Sequence, residues 1–121
     1  MSKKILLVDD DTVMLRMLEK SLSATGFMLA KAGNGKDAVT MAKNWQPDLI
    51  ILDIIMPEMD GGEAAELLER NPATRQIPII FLTSLLVDKE AARMTRSTGR
   101  TYMAKPLDEN KLIAEVRKYL S

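Results

Sequence analysis

Three aspartates, Asp9, Asp10 and Asp11, follow directly on the apolar run at residues 5–8. A fourth, Asp53, ends the apolar run at 49–52. Thr83 and Ser84 close the run at 77–82, and Lys105 stands between Ala104 and Pro106. Brought together, these groups have a definite chemistry. An ionised carboxylate is a nucleophile that needs no base. Carboxylates crowded into a partly dry cleft repel one another and call for a cation. Mg²⁺ suits one or two carboxylates completed by water and phosphate oxygens, and Lys105 can neutralise part of the remaining charge. Acids that follow strands also serve as helix caps, and Asp11 and Asp108 are read that way.

Whether the groups meet depends on the elements that carry them. Residues 5–8 and 49–52 are short continuous apolar runs, the pattern of strands buried on both faces. Residues 28–32, 77–82 and 101–104 read as three more strands. Between and after them lie helical patterns. Residues 12–25 place Met14, Leu15, Leu18 and Leu22 on one face, with Asp11 as cap and Gly26 as stop. Asn34 opens a helix with Ala38, Met41, Ala42 and Trp45 inward, halted by Pro47. Residues 62–71 place Ala64, Leu67 and Leu68 inward, residues 87–98 have a poor apolar face, and the last helix turns Leu112, Ile113, Val116 and Leu120 inward. Strict strand–helix alternation predicts an α/β fold, a flavodoxin-like doubly wound (βα)5 domain over residues 1–121 with a five-stranded parallel sheet in the order 2-1-3-4-5. Ligands bind such sheets at the carboxyl ends of the strands, near the switch point between strands 1 and 3. Asp9, Asp10, Asp53, Thr83 and Lys105 all fall on that rim.

Composition narrows the field. The 121 residues contain no Cys and no His, so disulfides, thiolate catalysis and imidazole chemistry are excluded. Seventeen acidic residues balance seventeen basic ones, which gives no support for bulk binding to nucleic acid or a membrane surface. The apolar run at residues 5–8 is too short for a signal peptide or a bilayer span, and a cytoplasmic location is expected. A nucleotide or flavin cradle would need glycines and free N–H groups after the first strand, and here that turn is triply acidic.

The chain resembles the receiver domain of two-component response regulators along essentially its whole length. The similarity rests on Leu7-Val8-Asp9-Asp10-Asp11, on the stretch from Pro47 through Asp53 to Met56-Pro57-Glu58-Met59-Asp60-Gly61, on Leu82-Thr83-Ser84 and on Tyr102-Met103-Ala104-Lys105-Pro106. The resemblance implies that Asp53 is the phosphoacceptor and that Mg²⁺ is the cofactor. Asp10 would bind the ion directly, Asp9 mainly through water, and the backbone carbonyl of Ile55 would add a ligand. It also implies that Thr83 and Lys105 contact the phosphoryl group and that Thr83 and Tyr102 form the switch. Simple core packing is the other reading of Tyr102. The implied phosphoryl donor is a sensor histidine kinase or a phosphotransfer protein, because this chain has no histidine. The output would pass through the face of helix 4, strand 5 and helix 5 to a downstream protein, the chain itself being a monomer or weak dimer without an output domain.

Arg100 and Thr101 replace the acidic pair that one DNA-binding subfamily uses in dimer contacts, so that dimer mode is not expected. Two other functions compete. A pseudo-receiver, binding partners without phosphorylation, should lack Asp9, Asp10, Asp53 or Lys105, and all are present. A haloacid dehalogenase-type phosphatase would need a second Asp two residues after the nucleophile, where Ile55 stands. The resemblance finally places Ile55 and Leu85 beside the path of the water that removes the phosphoryl group. Apolar side chains there imply slow self-hydrolysis.

Overall fold

A computed structural model describes residues 2–56 and 59–120. Pro57 and Glu58 of the predicted loop lie outside the described residues. The elements alternate as expected: β1 (Lys4–Val8), α1 (Thr12–Ser23), β2 (Met28–Ala32), α2 (Gly35–Trp45), β3 (Leu49–Asp53), α3 (Gly61–Arg70), β4 (Ile79–Thr83), α4 (Asp88–Thr98), β5 (Thr101–Ala104) and α5 (Glu109–Leu120). The strands are parallel and ordered β2-β1-β3-β4-β5. This is the flavodoxin-like doubly wound arrangement anticipated from the alternation.

The period of two along each strand divides the apolar side chains between two cores. Leu6, Val8, Ile50, Leu52 and Phe81 pack with Ala38, Val39 and Ala42 of α2 and Ala64, Ala65 and Leu68 of α3. Ile5, Leu7, Leu49, Ile51, Ile80 and Leu82 pack with Leu15, Leu18 and Leu22 of α1 and Leu112, Val116 and Leu120 of α5. Because both faces are covered, the central strands β1, β3 and β4 read as nearly unbroken apolar runs.

The helix starts follow from their caps. Asp11 accepts hydrogen bonds from the Val13 and Met14 N–H groups, Asn34 from Asp37, and Asp60 from Glu63. The Asp108 side chain accepts from Asn110 and Lys111 at the start of α5. Helix boundaries differ from expectation by a residue or two. α1 stops at Ser23, with Ala24 as its C-cap and Gly26 turning at φ 84°. β4 begins at Ile79, and Pro78 joins the sheet only by accepting from the Ile50 N–H.

One helix face is rotated from the predicted one, and a second is broader than predicted. In α3, Leu67 was expected inward and is 40% exposed, while Ala65 is buried. In α2, Gly35 and Val39 are buried as well, while Met41 and Trp45 are half-buried and pack against the same core. Ile113 of α5 is likewise half-buried. Both α2 and α3 bury residues in the same rhythm: Gly35, Ala38, Val39, Ala42 and Gly61, Ala64, Ala65, Leu68. The physical reason is close approach. A Cβ built on Gly61 would lie 2.2 Å from the Asp53 carbonyl oxygen, so the glycine sets the rotation of α3 and its small neighbours follow it inward.

α4 buries only Ala91. Its N-cap residue, Val87, has no side-chain acceptor, and Glu90 instead reaches back to the Val87 N–H at 3.1 Å. Val87→Ser should supply the missing acceptor and stabilise the protein by about 1 kcal/mol. It should also slow amide exchange in α4 more than in α1. Urea unfolding and native-state hydrogen exchange test this, and no gain in either would show that the Glu90 contact already suffices.

Candidate functional site

β1 and β3 are neighbours, with Val8 opposite Leu52. The residues that follow are therefore brought side by side at the carboxyl ends of the strands. One carboxylate oxygen from each of Asp9, Asp10 and Asp53 lies within 4.8 Å of the other two. Asp9 is 1% exposed and Asp53 6%, while Asp10 is open to solvent. Asp11 turns away to cap α1, as expected.

Lys105 closes the cluster. Its backbone N–H donates to the Thr83 carbonyl at 2.8 Å, fixing the start of the β5–α5 connection against β4. The Lys105–Pro106 peptide bond is cis. The Lys105 ammonium donates to Asp9 Oδ2 at 2.8 Å and sits 3.4 Å from Asp53 Oδ1. The second oxygen of Asp9 accepts the Asp11 N–H at 3.0 Å, so both oxygens of this buried carboxylate are engaged. Asp10 forms no hydrogen bond or ion pair among the described residues, which leaves its carboxylate free.

Electrostatics set Asp53 apart. Burial, and then the charge of Asp9, push its pKa above the ordinary carboxylate value. Lys105 and a hydrogen bond from the Ile55 backbone N–H act in the opposite direction without cancelling the rise. For Lys105, burial opposes the charged form, but its contacts with Asp9 and Asp53 outweigh that and hold its pKa above the usual lysine value. One ammonium thus serves two acids incompletely.

The donor set fits a hard divalent cation. Three carboxylates with neighbouring oxygens, one of them free and facing water, match a site completed by waters. Ile55 supplies backbone beside Asp53, and its side chain is 54% exposed.

Thr83 is buried at the end of β4, next to the Asp53 strand, and its Oγ1 accepts the Leu85 N–H at 3.0 Å. Tyr102 stands opposite Phe81, and Ala104 opposite Thr83. The ring of Tyr102 stacks on that of Phe81 with centroids 5.1 Å apart and planes inclined by 18°. Its backbone N–H donates to Thr95 Oγ1 of α4 at 2.9 Å. Tyr102 is therefore packed in the half-buried layer behind Thr83, on the same sheet face as Phe81. Arg100 lies 5.9 Å from the Phe81 ring centre and pairs with Glu69 of α3 at 2.9 Å.

Two residues outside the expected set also shape the site. Gly61 contacts the Asp53 backbone and donates its N–H to the Ile54 carbonyl at 2.7 Å, closing the loop after β3. Gly35 packs against Met59 of the same loop. A glycine at the first helical position, where a better helix former would be preferred, is the signal that could have disclosed both.

With this geometry established, comparison with known proteins defines its class. The model of the response regulator receiver domain matches residues 5–117, and the chain belongs to that family. It is 32% identical to the protein PilH of Pseudomonas aeruginosa over 118 residues, covering 98% of each. It is 37% identical to the response regulator PleD of Caulobacter vibrioides over 117 residues, spanning 97% of this chain but only 26% of PleD. Among solved structures, a response regulator from Chloroflexus aurantiacus superposes with a TM-score of 0.87 at 28% identity, covering 99% of this chain and 98% of that one. The receiver domain of a sensor histidine kinase from Pseudomonas aeruginosa, with a magnesium ion coordinated in its active site cleft, gives a TM-score of 0.84 at 28% identity and covers 99% and 98%. Among the described residues, no helix is long and apolar enough to cross a membrane.

The two buried acids should respond oppositely to removal in metal-free protein. The raised pKa of Asp53 means that the folded state holds its proton more tightly than the unfolded chain does. The resulting penalty is present wherever Asp53 is ionised and is relieved as pH falls through the raised value toward the ordinary carboxylate range. Asp53→Asn should therefore be more stable than wild type at pH 7 in a chelator, with the gap closing on acidification. Asp9→Ala strands the Asp11 N–H and Lys105 and should destabilise by about 1–3 kcal/mol. Denaturant unfolding across pH measures both, and a loss of stability in Asp53→Asn at pH 7 would contradict this electrostatic account.

Proposed function

We propose that the chain is a phosphorylation-operated switch in which Asp53 accepts a phosphoryl group from a phosphohistidine on a sensor histidine kinase or phosphotransfer protein in the cytoplasm. The observation that carries this reading is the convergence of Asp9, Asp10 and Asp53 on Lys105 at the ends of adjacent strands. Asp10, Asp53 and the backbone carbonyl of Ile55 would hold Mg²⁺, with Asp9 acting through water. When bound, the ion neutralises charge on the phosphoryl oxygens.

An ionised Asp53 oxygen forms the new O–P bond while the donor's N–P bond breaks, and the freed imidazole takes up a proton. No base on this chain is needed. Lys105, already 3.4 Å from Asp53, is held by Asp9 where it can pair with a phosphoryl oxygen. Thr83 would exchange its contact with the Leu85 N–H for one with the phosphoryl group, and Tyr102 would move further inward behind it. The surface of α4, β5 and α5 then changes. A groove of about 450 Å³ lies there, lined by Ala91, Ala92, Tyr102, Met103 and Lys111 among others, and is the proposed docking place for a downstream protein. The shift requires the phosphoryl group to interact differently with the two states. The chain would act as a monomer or weak dimer without direct nucleic-acid contacts.

A small acyl phosphate with Mg²⁺ should add one phosphoryl group, detected by intact-protein mass spectrometry. Asp53→Ala and chelation should each abolish the addition, and undiminished labelling of Asp53→Ala would refute the assignment.

Lifetime offers a second test. Ile55 and Leu85 are 54% and 65% exposed, and neither side chain can hydrogen-bond a water. The phosphorylated chain should therefore lose its phosphoryl group slowly. The variant Ile55→Asn/Leu85→Glu should lose it about tenfold faster, the scale of a positioning effect. Decay after removal of phosphodonor measures this, and equal rates would show that these side chains do not set the lifetime.

A further inference from the structure

We propose that Thr95, in the body of α4, is a positioning residue that holds α4 against β5 in the unphosphorylated state, and that phosphorylation of Asp53 works against this hold; the inference rests on the phosphorylation switch proposed above. β5 is the last strand of the sheet, so N–H groups on its outer side have no strand to pair with. The Tyr102 N–H is one of them. It donates instead to Thr95 Oγ1 at 2.9 Å. Thr95 is fitted to accept it. Its hydroxyl proton goes to the Ala91 carbonyl, one helical turn earlier, at 3.0 Å, and a lone pair remains for Tyr102. The Tyr102 carbonyl, at 3.4 Å, has the weaker claim on that proton.

Little else fastens α4. It buries Ala91 alone, and Val87 gives it no side-chain cap. Its ion pair to α5, between Asp88 and Lys111 at 3.5 Å, is exposed at both ends and contributes little. Two threonine hydroxyls tie this segment to the sheet. Thr83 Oγ1 accepts the Leu85 N–H in the lead-in to α4, and Thr95 Oγ1 accepts the Tyr102 N–H from β5. The proposed switch gives up the first bond when Thr83 turns to the phosphoryl group. Leu85 lies three residues before the start of α4, so the segment released there leads straight into the helix. The inward shift of Tyr102 pulls on the other end of the Thr95 bond. Thr95 thus stabilises the unphosphorylated arrangement by one hydrogen bond that the switched arrangement lacks. The switched arrangement is then the minor state in unphosphorylated protein, and its population limits the rate of phosphorylation.

The experiment follows the rate at which a small acyl phosphate with Mg²⁺ labels the intact protein, by mass spectrometry, in wild type, Thr95→Val, Thr95→Ala and Thr95→Ser. Valine keeps the branched shape and removes the hydroxyl. Alanine removes the hydroxyl too but is the better helix former, so it separates loss of the bond from loosening of the helix itself. Serine keeps the hydroxyl. Thr95→Val and Thr95→Ala should both label about fivefold faster than wild type, the population shift that one ordinary hydrogen bond is worth. Thr95→Ser should label at the wild-type rate. A substitution that merely damaged packing would not raise the rate. Should Thr95→Val not fold, Thr95→Ala against Thr95→Ser decides. A rate no greater than wild type in any folded variant lacking the hydroxyl overturns the proposal, as does a Thr95→Ser variant as fast as they are. Wild type that takes no label would overturn the reading of the site and this inference with it. Wild type that is labelled as fast as Thr95→Val and Thr95→Ala would overturn this inference alone.

Discussion

One ammonium shared between two buried carboxylates is the constraint around which the remaining structure is arranged. Lys105 satisfies Asp9 at 2.8 Å and reaches Asp53 only at 3.4 Å, while Asp10 adds a third, free carboxylate. The arrangement needs a particular topology. Asp9 and Asp53 meet because β1 and β3 are adjacent, an adjacency that only the crossover order of a doubly wound sheet provides. Lys105 starts from β5, two strand spacings or about 10 Å from β3. A long unbranched side chain is required to cross that distance, and the backbone bond from Lys105 to Thr83 sets its point of departure.

Holding repelling charges together requires rigid surroundings, because flexible ones would let them separate. Two apolar cores supply the rigidity, one on each face of the sheet. Beyond β3, Met56 is buried, Gly61 lies against the Asp53 backbone and Gly35 against that of Met59. The opposite holds on the far side of β4. α4 buries a single alanine and is joined to β5 by the hydrogen bond from Tyr102 to Thr95. A sparsely buried helix beside the acidic site is what the proposed switch would draw on, since elements that move come from the low-stability part of a fold.

Much of this was legible in the chain itself. Strands buried on both faces leave uninterrupted apolar runs, and the residues that end those runs mark the rim of the sheet. Asp9, Asp10, Asp53, Thr83 and Lys105 could therefore be placed before any coordinates. Helix rotation was less legible. Leu67 is more apolar than Ala65, yet Ala65 is buried, because the approach of Gly61 to Asp53 sets the phase of α3. Val39 faces inward in α2 alongside Gly35 for a similar reason, while the larger Met41 and Trp45 lie at the margin. Contacts between a glycine and a distant backbone leave no periodic signature, so hydrophobic pattern missed Gly35, Val39 and Ala65 and overrated Leu67. The double engagement of Asp9 was also hidden, since it depends on where Lys105 ends rather than on where it begins.

Without a cation Asp53 is held against burial and the charge of Asp9, and the charge of its own carboxylate is what its proposed role as a Mg²⁺ ligand would use. The most direct measurement compares thermal stability of wild type and Asp53→Asn, each in chelator and in saturating Mg²⁺ at pH 7. Without the ion, Asp53→Asn should be the more stable. With it, wild type should gain more and the order should reverse, because the substitution removes both the strain and the ligand. A wild type indifferent to Mg²⁺, or an Asp53→Asn variant that gains as much, would contradict the account.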